Sequence, residues 1–440
     1  MKYGVLALGV ALMLPQGAGA QATDPATREL IERLMARIDR LEKRVAELEQ
    51  TPATARAAAA GATTPAAPAA PAATAAVHTH DQAPAPETAG PDAQPVYPSL
   101  KIAGFSDFDF SASNLHGPSG GFGAQTLLGS HTGFEEGQFV LHLSSALSQK
   151  VSVFGELSLT ARSDAGTGAP APAAPGFNAE VERLILRYDL NDYFKISFGR
   201  YHTPINYWNT AFHHGQWLQT SISRPEMTQF GGSFIPVHFV GTLVEGSTPA
   251  GGLNLNYNFG LGNGRGQVLS RAGDFSDINN NRAWLANLFV KPDAAYGLQV
   301  GGSVYRDELS PASGLKAREW IQSGHIVWQK ETPEFIAEFA NVTHQFSGGL
   351  TSNSQAFYMQ VAYRLPWFNK LWKPYYRFEQ MHTPLSDALF RGLVPTFSGS
   401  TAGLRYDFAS FAAFKLEYRN YMRRELPTIN GIFTQTSFTF

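Results

Sequence analysis

The chain has 440 residues, a formal net charge of −2 at pH 7 and no cysteine. The near-neutral charge offers no attraction for nucleic acid, and the absence of cysteine excludes disulfide bonds and thiol nucleophiles. Only 16% of the residues are charged and 12% are aromatic, whereas roughly 25% of an ordinary globular protein is charged. This deficit is expected of a protein that turns part of its surface to lipid.

Residues 1–20 have the pattern of a secretory signal peptide. Lys2 supplies the positive start, residues 5–14 form an apolar run, and Ala18 to Ala20 form a cleavage site of small residues. The apolar run is too short for a membrane-spanning helix, which needs about 20 such residues. We expect the mature chain to begin at Gln21.

Residues 21–50 change to a helical period and predict a short periplasmic coiled coil. Apolar residues follow the 3-4 spacing of the a and d positions, with arginine at g and glutamate at e. Ile and Val at a with Leu at d favour a dimer by themselves, but the repeated Arg-apolar-x-x-apolar-Glu pattern resembles the signature of short trimeric coiled coils. A single amphipathic helix packed on another surface is the alternative. The residues concerned are Ile31, Leu34, Arg37, Ile38, Leu41, Glu42, Arg44, Val45, Leu48 and Glu49.

Residues 51–96 are dominated by Ala, Pro and Thr. Such a segment cannot bury an apolar core, so we predict a disordered, extended Ala/Pro-rich linker.

From residue 97 to residue 440, apolar side chains recur at every second position. Leu184, Leu186 and Tyr188, for example, alternate with Arg187 and Asp189, as the two faces of a β-strand require. About sixteen segments have this pattern, each near the length that a tilted strand needs to cross a bilayer. Short connectors such as residues 191–193 take turns with long ones such as residues 205–232. Periplasmic turns and extracellular loops alternate in this way, whereas a soluble β-sandwich has no reason to do so.

We therefore predict an all-β transmembrane barrel of about 16 antiparallel strands. Its expected location is the outer membrane of a Gram-negative bacterium, with the N-terminal region in the periplasm. The chain ends in Phe440, with a second aromatic residue at Phe438. This ending is typical of the closing strand that the outer-membrane assembly machinery recognises.

Three segments resemble landmarks of the phosphate-selective porin O and P superfamily. They are Gly199 to Pro204, Pro236 to Gly241, and Tyr257 to Gly264. The N-terminal coiled coil followed by a linker is similar to that of the DcaP-like members, which are trimeric porins. The resemblance implies a trimeric diffusion channel with outer-membrane lipid and small solutes as its partners. It does not imply phosphate selectivity.

Charged residues at inward positions of the strands are the candidate pore lining. Acidic and basic residues after Tyr97 are equal in number, so no single-sign electrostatic filter is visible. The candidates are Glu156, Arg183, Arg187, Glu338, Arg364, Arg377, Glu379, Arg405, Lys415, Glu417 and Arg419.

The long connector from Asn206 to Arg224 follows the predicted fifth strand and is the candidate constriction loop. In general porins, the loop at this place folds into the lumen and narrows it. Packing on a neighbouring subunit, or capping of the barrel wall, is the alternative. Its candidate residues are Tyr207, Trp208, Phe212, His213, His214, Trp217 and Arg224.

The sequence contains no H-E-x-x-H motif. Its one G-x-S-x-G spacing, Gly117 to Gly121, lies within a long glycine-rich connector between predicted strands and not at a strand-to-helix turn, so it is not a nucleophile elbow. We therefore expect no enzymatic activity, no cofactor and no metal site. Two functions remain. One is a porin that lets small polar or charged solutes diffuse through a water-filled lumen. The other is a structural envelope protein whose barrel anchors a periplasmic coiled coil.

Overall fold

The computed structural model describes residues 97–114, 133–162, 176–212, 216–229, 234–424 and 426–440. The predicted signal peptide, coiled coil and linker lie outside these residues and stay predictions. Sixteen strands form one closed sheet, which confirms the predicted barrel and its strand number. Their bounds are β1 Ser99–Ser113, β2 Gly133–Ala146, β3 Val151–Arg162, β4 Gly176–Asn191, β5 Phe194–His202, β6 His238–Thr248, β7 Leu255–Asn263, β8 Ala283–Val290, β9 Leu298–Leu309, β10 Ala317–Gln329, β11 Glu334–Phe346, β12 Thr351–Ala362, β13 Trp372–His382, β14 Phe397–Ala409, β15 Ala412–Arg423 and β16 Leu426–Thr439.

Each strand pairs antiparallel with its neighbours in the sequence, and β1 pairs with β16 to close the ring. At this seam, Gly104 and Phe440 exchange two backbone hydrogen bonds of 2.8 and 3.1 Å. The Phe440 ring also stacks on Phe139 of β2, with centroids 5.6 Å apart. The C-terminal residue is therefore part of the closed sheet.

The two-residue period separates an apolar outer face from an inner face. On β4, Leu184 and Leu186 are exposed, whereas Ile185 between them and Arg187 after them are buried. A bulge interrupts the alternation, because Glu156 of β3 pairs with Arg183 while Leu157 pairs with Val181. Glu182 is the extra residue. A bulge redirects side chains, and here Glu182 and Arg183 are both buried.

The connectors keep the predicted short-long alternation only in the first half of the barrel. At one end, which we call the long-connector end, they include residues 203–237 and 264–282. In the second half, 383–396 is still long, but 347–350 and 424–425 are short. At the other end, the turn end, residues 363–371 form the longest connector. Barrel closure fixes which end a connector occupies but not its length, so the expectation of strict alternation was wrong for the later strands.

Helices contribute little to the described residues. In its described residues, the connector between β5 and β6 contains one α-helical turn, α1 (Trp208–Ala211), and a 3-10 turn at Glu226–Thr228. Within the described ranges, no helix has the length and apolar character needed to cross a bilayer.

The inside of the barrel is not uniformly polar, contrary to the expected polar lumen face. A large apolar cluster joins inward residues of the wall, such as Phe239, Ile321 and Tyr358, to Ile205 and Trp208 of the β5–β6 connector. The apolar surface arises because part of the wall packs against protein rather than against water.

Candidate functional site

The described residues of the connector 203–237, called here the inner loop, cross the interior of the barrel. The backbone N–H groups of Tyr207 and Trp208 donate to Oε1 of Glu338 on β11 at 2.7 and 2.6 Å. β5 and β11 are six places apart in a ring of sixteen strands. Glu338 points inward, since it is buried while the next residue, Phe339, is exposed on the outer face. The loop therefore passes from one wall to the opposite wall.

Apolar packing anchors the beginning of the inner loop. Trp208 and Ile205 have no exposed surface. The Trp208 ring makes an edge contact with Tyr358 of β12, with centroids 5.9 Å apart, and another with Phe212 at 4.9 Å. Asn209 donates to the backbone oxygens of Thr203 and Val237 at 2.8 and 3.1 Å, which ties the two ends of the loop together.

The middle of the inner loop is held by a carboxylate and a guanidinium of the far wall. Glu417 of β15 accepts hydrogen bonds from the backbone of Ile222 and Ser223 at 2.9 and 3.3 Å, and from Ser223 Oγ at 2.7 Å. Arg377 of β13 donates to the carbonyl oxygens of Ser223 and Arg224 at 2.7 and 3.1 Å. These charged groups satisfy backbone groups that an irregular loop cannot pair within itself.

Three further wall residues bind the same segment. Arg405 of β14 donates to the carbonyl oxygens of Trp217 and Gln219 at 2.7 and 2.9 Å. Its guanidinium also lies over the Trp217 ring, 4.9 Å from the centroid. Lys415 of β15 donates to the carbonyl oxygen of Ser221 at 3.2 Å and to that of Gln216. Thr220 donates to Glu334 of β11 at 2.9 Å.

The last held segment contains two charged loop residues with shifted pKa values. The backbone N–H of Glu226 donates to Oε2 of Glu379 on β13 at 2.6 Å. Burial, followed by the nearby Glu379 carboxylate, raises the pKa of Glu226 to about 7. Burial lowers the pKa of Arg224 to about 9, although Glu182 opposes this shift. The ionisation of Glu226 therefore changes near neutral pH.

The sequence-derived candidates fall into two groups in the barrel. The first group lies on the wall beneath the inner loop and is almost fully buried. Its members bind the loop, except that Arg419 is included because it binds Glu417, which holds the loop. The group comprises Glu338, Arg377, Glu379, Arg405, Lys415, Glu417 and Arg419.

The second group lies elsewhere on the inner surface and forms ion pairs within the wall. Glu156 binds Arg183 at 2.5 Å, and Arg187 binds Asp189 and Glu245 at 2.6 and 2.8 Å. Arg364 lies beyond the end of β12, in the connector at the turn end, and pairs with Glu331 at 2.8 Å. Of the loop candidates, His213 and His214 lie outside the described residues, while Tyr207, Trp208, Phe212, Trp217 and Arg224 all belong to the inner loop.

Sequence reasoning missed a histidine–carboxylate network on the wall of β2 to β6. His142 and Glu156 approach to 2.8 Å, and His238 and Glu182 approach to 2.8 Å. The rings of His202 and His238 are 5.5 Å apart. These residues come from five strands, so no local spacing connects them. The only sequence signal is the acidic-basic pair Glu182-Arg183, where the alternation breaks.

Glu180, Glu182 and His238 bring three possible metal-ligand atoms within 4.8 Å of one another. Arginines already balance these carboxylates, because Glu180 binds Arg200 at 2.9 Å and Arg271 at 2.7 Å. The cluster is thus an ion-pair network near the mouth of the barrel.

No family model matches the sequence, and no curated protein matches it. Solved structures do match the barrel. An anion-selective porin from Comamonas acidovorans has a TM-score of 0.54 at 10% identity, covering 78% of this chain and 100% of that chain. OmpF of Salmonella typhi, in complex with daunomycin, has a TM-score of 0.51 at 11% identity, covering 78% and 97%. A loop-deletion mutant of OmpT from Vibrio cholerae has a TM-score of 0.50 at 12% identity, covering 78% and 99%.

At these identities the likeness concerns the fold. The predicted resemblance to the phosphate-selective porin O and P superfamily, and to its DcaP-like members, is not confirmed and stays a prediction. What is established is that the chain folds into the closed antiparallel barrel of sixteen strands that these porins share.

Proposed function

We propose that this protein is an outer-membrane porin through which small polar or charged solutes diffuse passively. The observation that carries the proposal is a loop pinned across the interior of a closed barrel whose outer face is apolar. An apolar outer band suits a bilayer, because a closed sheet leaves no backbone group unpaired in lipid. A loop held by several wall residues leaves a narrower, fixed passage beside it.

The charges in the interior support a channel of mixed selectivity. Basic side chains on the inner wall are paired with carboxylates, as in the pairs Arg183–Glu156 and Arg187–Glu245. Compensated pairs create a polar surface without a strong field of one sign. The identity of the preferred solute does not follow from this arrangement.

Three further parts of the proposal rest on sequence. The signal peptide takes the chain out of the cytoplasm, and the terminal Phe440 directs the barrel to the assembly machinery. The coiled coil at residues 21–50 lies in the periplasm and supports a homotrimer. We expect no cofactor, no metal and no catalysis.

The competing function is a structural envelope protein whose barrel anchors the coiled coil. The close packing of the inner loop on the wall favours this alternative, since it fills part of the interior. Conductance separates the two. Purified protein inserted into a planar bilayer should give discrete, ohmic single-channel steps if it is a porin. A correctly folded, heat-modifiable barrel that inserts without conductance would instead identify an anchor.

A further inference from the structure

The outer face of β8 to β12 carries polar side chains where lipid would be expected. One row of directly paired residues runs across five strands towards the long-connector end: Trp284, Arg306, Trp320, Thr343 and Asn353. The next row towards the turn end contains Gln322, Asn341 and Gln355. We call these eight residues, together with Arg318, the outer polar patch.

The orientation of the patch follows from its sequence neighbours. On β9, Tyr305 and Asp307 are buried on the inner face, so Arg306 between them points outward. On β11, Ala340 and Val342 are buried inward, and Asn341 between them points outward.

The amides of the patch bind one another in an exposed network. Asn341 donates to Gln322 and Thr343 at 3.1 Å each, Thr343 donates to Asn353 at 2.7 Å, and Gln355 donates to Asn341 at 3.3 Å. Side-chain amides in contact with hydrocarbon lose hydrogen bonds to water. A surface of this kind suits a polar neighbour better than acyl chains.

The patch also carries excess positive charge. Arg306 and Arg318 bind the same carboxylate, that of Glu308, at 2.5 and 3.0 Å. Two guanidiniums thus share one negative charge. Guanidinium groups bind phosphate oxygens through paired hydrogen bonds, so this arrangement retains capacity for an external phosphate.

Two tryptophans set the depth of the patch. The rings of Trp284 and Trp320 meet edge to face, 5.7 Å apart, and their strands flank Arg306 on β9. Tryptophan is enriched at the boundary between acyl chains and headgroups. On β8 to β12, the next row of paired residues beyond the patch towards the turn end is apolar. Its members Leu288 and Phe339 are exposed. The patch therefore lies at headgroup level, above an acyl-chain level.

At this height the outer face is polar beyond the patch as well, since the row of Gln355 continues to His382 on β13 and Asn420 points outward on β15, whereas β4 is apolar. On β4, the outward residues at the same end are Val181, Ala179 and Phe177, and all three are exposed. A general need for polar residues at this height would affect every strand. The patch is distinguished within the polar side by the two arginines that share Glu308.

We propose that the outer polar patch binds a phosphorylated glycolipid of the outer leaflet. Arg306 and Arg318 hold its phosphate, the amides of β10 to β12 bind sugar hydroxyls, and Trp284 and Trp320 pack against sugar rings. The acyl chains lie along the apolar row beneath. A phosphorylated glycolipid is chosen over a plain phospholipid because the amide rows extend over two strands beyond the arginines, to β12, farther than a single phosphate requires. The inference rests on the outer-membrane location proposed above, with the long-connector end facing outward as extracellular loops do.

The test uses the full-length protein in detergent, titrated with purified lipopolysaccharide. The variant combines Arg306→Gln with Arg318→Gln, and the matched control is Arg391→Gln, which removes an exposed charge at the same end of the barrel but outside the patch. We expect the double variant to bind lipopolysaccharide at least tenfold more weakly, whereas the control binds as the wild type. Phosphatase-treated lipopolysaccharide should lose affinity for the wild type, and phosphatidylglycerol should bind more weakly than lipopolysaccharide.

Four outcomes would overturn the inference. They are absence of binding to the wild type, equal binding by the double variant, equal binding of phosphatidylglycerol, and crosslinking between copies through a single Gln355→Cys, which would make the patch a subunit interface. Heat-modifiability verifies that each variant is folded. Single-channel conductance is measured separately, so failure of the porin proposal is distinguishable from failure of the lipid site.

Discussion

The buried carboxylate of Glu417 accepts several hydrogen bonds from the inner loop. Its carboxylate accepts from the backbone of Ile222 and Ser223, from Ser223 Oγ and from the Tyr375 hydroxyl at 2.8 Å, and it binds Arg419 at 2.5 Å. A buried ion pair contributes little net stability, but removal of one partner costs about 3–5 kcal/mol because the other charge stays buried. Such residues therefore fix a geometry more than they stabilise a fold.

We predict that Glu417→Gln loosens the inner loop while the barrel remains folded. The substitution preserves the size of the side chain but removes the charge that strengthens these hydrogen bonds, each worth about 1.5–3 kcal/mol. Open-channel noise should rise, and limited proteolysis should cut within residues 216–229. Glu245→Gln is the matched control, since Glu245 pairs with Arg187 on the wall. Equal noise in both variants would show that Glu417 does not hold the loop.

Glu226 makes the packing of the inner loop dependent on pH. Its pKa is raised to about 7 by burial and by Glu379, whereas the carboxyl of an unfolded chain titrates near pH 4.3. A raised pKa means that the packed loop is favoured while the carboxyl is protonated. That contribution is complete below about pH 4.3 and is lost as the pH rises through about 7.

We therefore predict that the loop opens more easily at pH 8 than at pH 5. Over this interval the loss is on the order of 3 kcal/mol, because one pKa unit corresponds to about 1.4 kcal/mol. Conductance and its noise should increase with pH in the wild type, and Glu226→Gln should flatten the profile. A profile that persists unchanged in Glu226→Gln would assign the pH dependence to other groups.

At the scale of elements, the two-residue period of a strand predicts which of its side chains lie on the outer face. Leu157 lies near the middle of β3 and is 41% exposed on the outer face. We predict that Leu157→Arg destabilises the barrel by roughly 2–4 kcal/mol, the cost of a lipid-facing arginine near the bilayer midplane. Urea unfolding in lipid vesicles measures the change, with Leu157→Phe as the apolar control. Equal stability of the two variants would mean that Leu157 does not face lipid.

In the proposed channel, the inner loop is the element that sets the width of the passage. Deletion of residues 208–217 removes Trp208 and the Trp217 carbonyl that Arg405 binds. We predict a higher single-channel conductance and entry of larger solutes, since free cross-section controls flux through a water-filled pore. The ladders between strands remain, so heat-modifiability should persist. Unchanged conductance and solute size limit in a folded deletion variant would separate the loop from the passage.

The strands were predictable from sequence because alternation is a local property of each segment. The position of the loop candidates after the fifth strand was predictable for the same reason. Their partners were not: Glu338 and Glu417 are separated from the loop by about 130 and 194 residues along the chain. Only closure of the barrel brings them together. The sequence indicates that Arg377 points inward, but it cannot indicate whether the guanidinium meets water or a loop carbonyl.

The bulge at Glu182 shows a second limit. A strict alternation continued from Leu184 would place Glu182 on the outer face, yet it is buried beside His238, 2.8 Å away. One extra residue reverses the face of everything that follows it. A charged pair inside an apolar alternation is the signal that would locate such a bulge.

At the scale of the whole barrel, the outer surface has two unlike sectors. On β4 the outward positions are apolar from Leu190 at the turn end to Phe177 at the long-connector end. On β11 the apolar positions end at Phe339, after which Asn341 and Thr343 follow. Each outward position adds about 5 Å of height in a tilted strand, and the lipid-facing band is about 25 Å tall. The apolar surface of β4 is therefore taller than lipid alone requires.

Extra apolar height is explained if the β1–β4 sector contacts another copy of the chain. We predict that the homotrimer is held by this sector and only reinforced by the coiled coil. Ile38→Asp combined with Leu41→Asp places charges at a and d and should abolish helix association, yet the barrels should still assemble.

The chain has no cysteine, so single cysteines report contacts without a background. With the coiled coil disrupted, Val181→Cys on β4 should crosslink between copies in native membranes, because two apolar faces exclude lipid there. Gln355→Cys on β12 should not, because that surface faces glycolipid in the arrangement proposed above. Loss of all crosslinks in the coiled-coil variant would show that the helices create the trimer. Crosslinks confined to β12 would instead make the outer polar patch the subunit interface and leave the β1–β4 sector to face lipid.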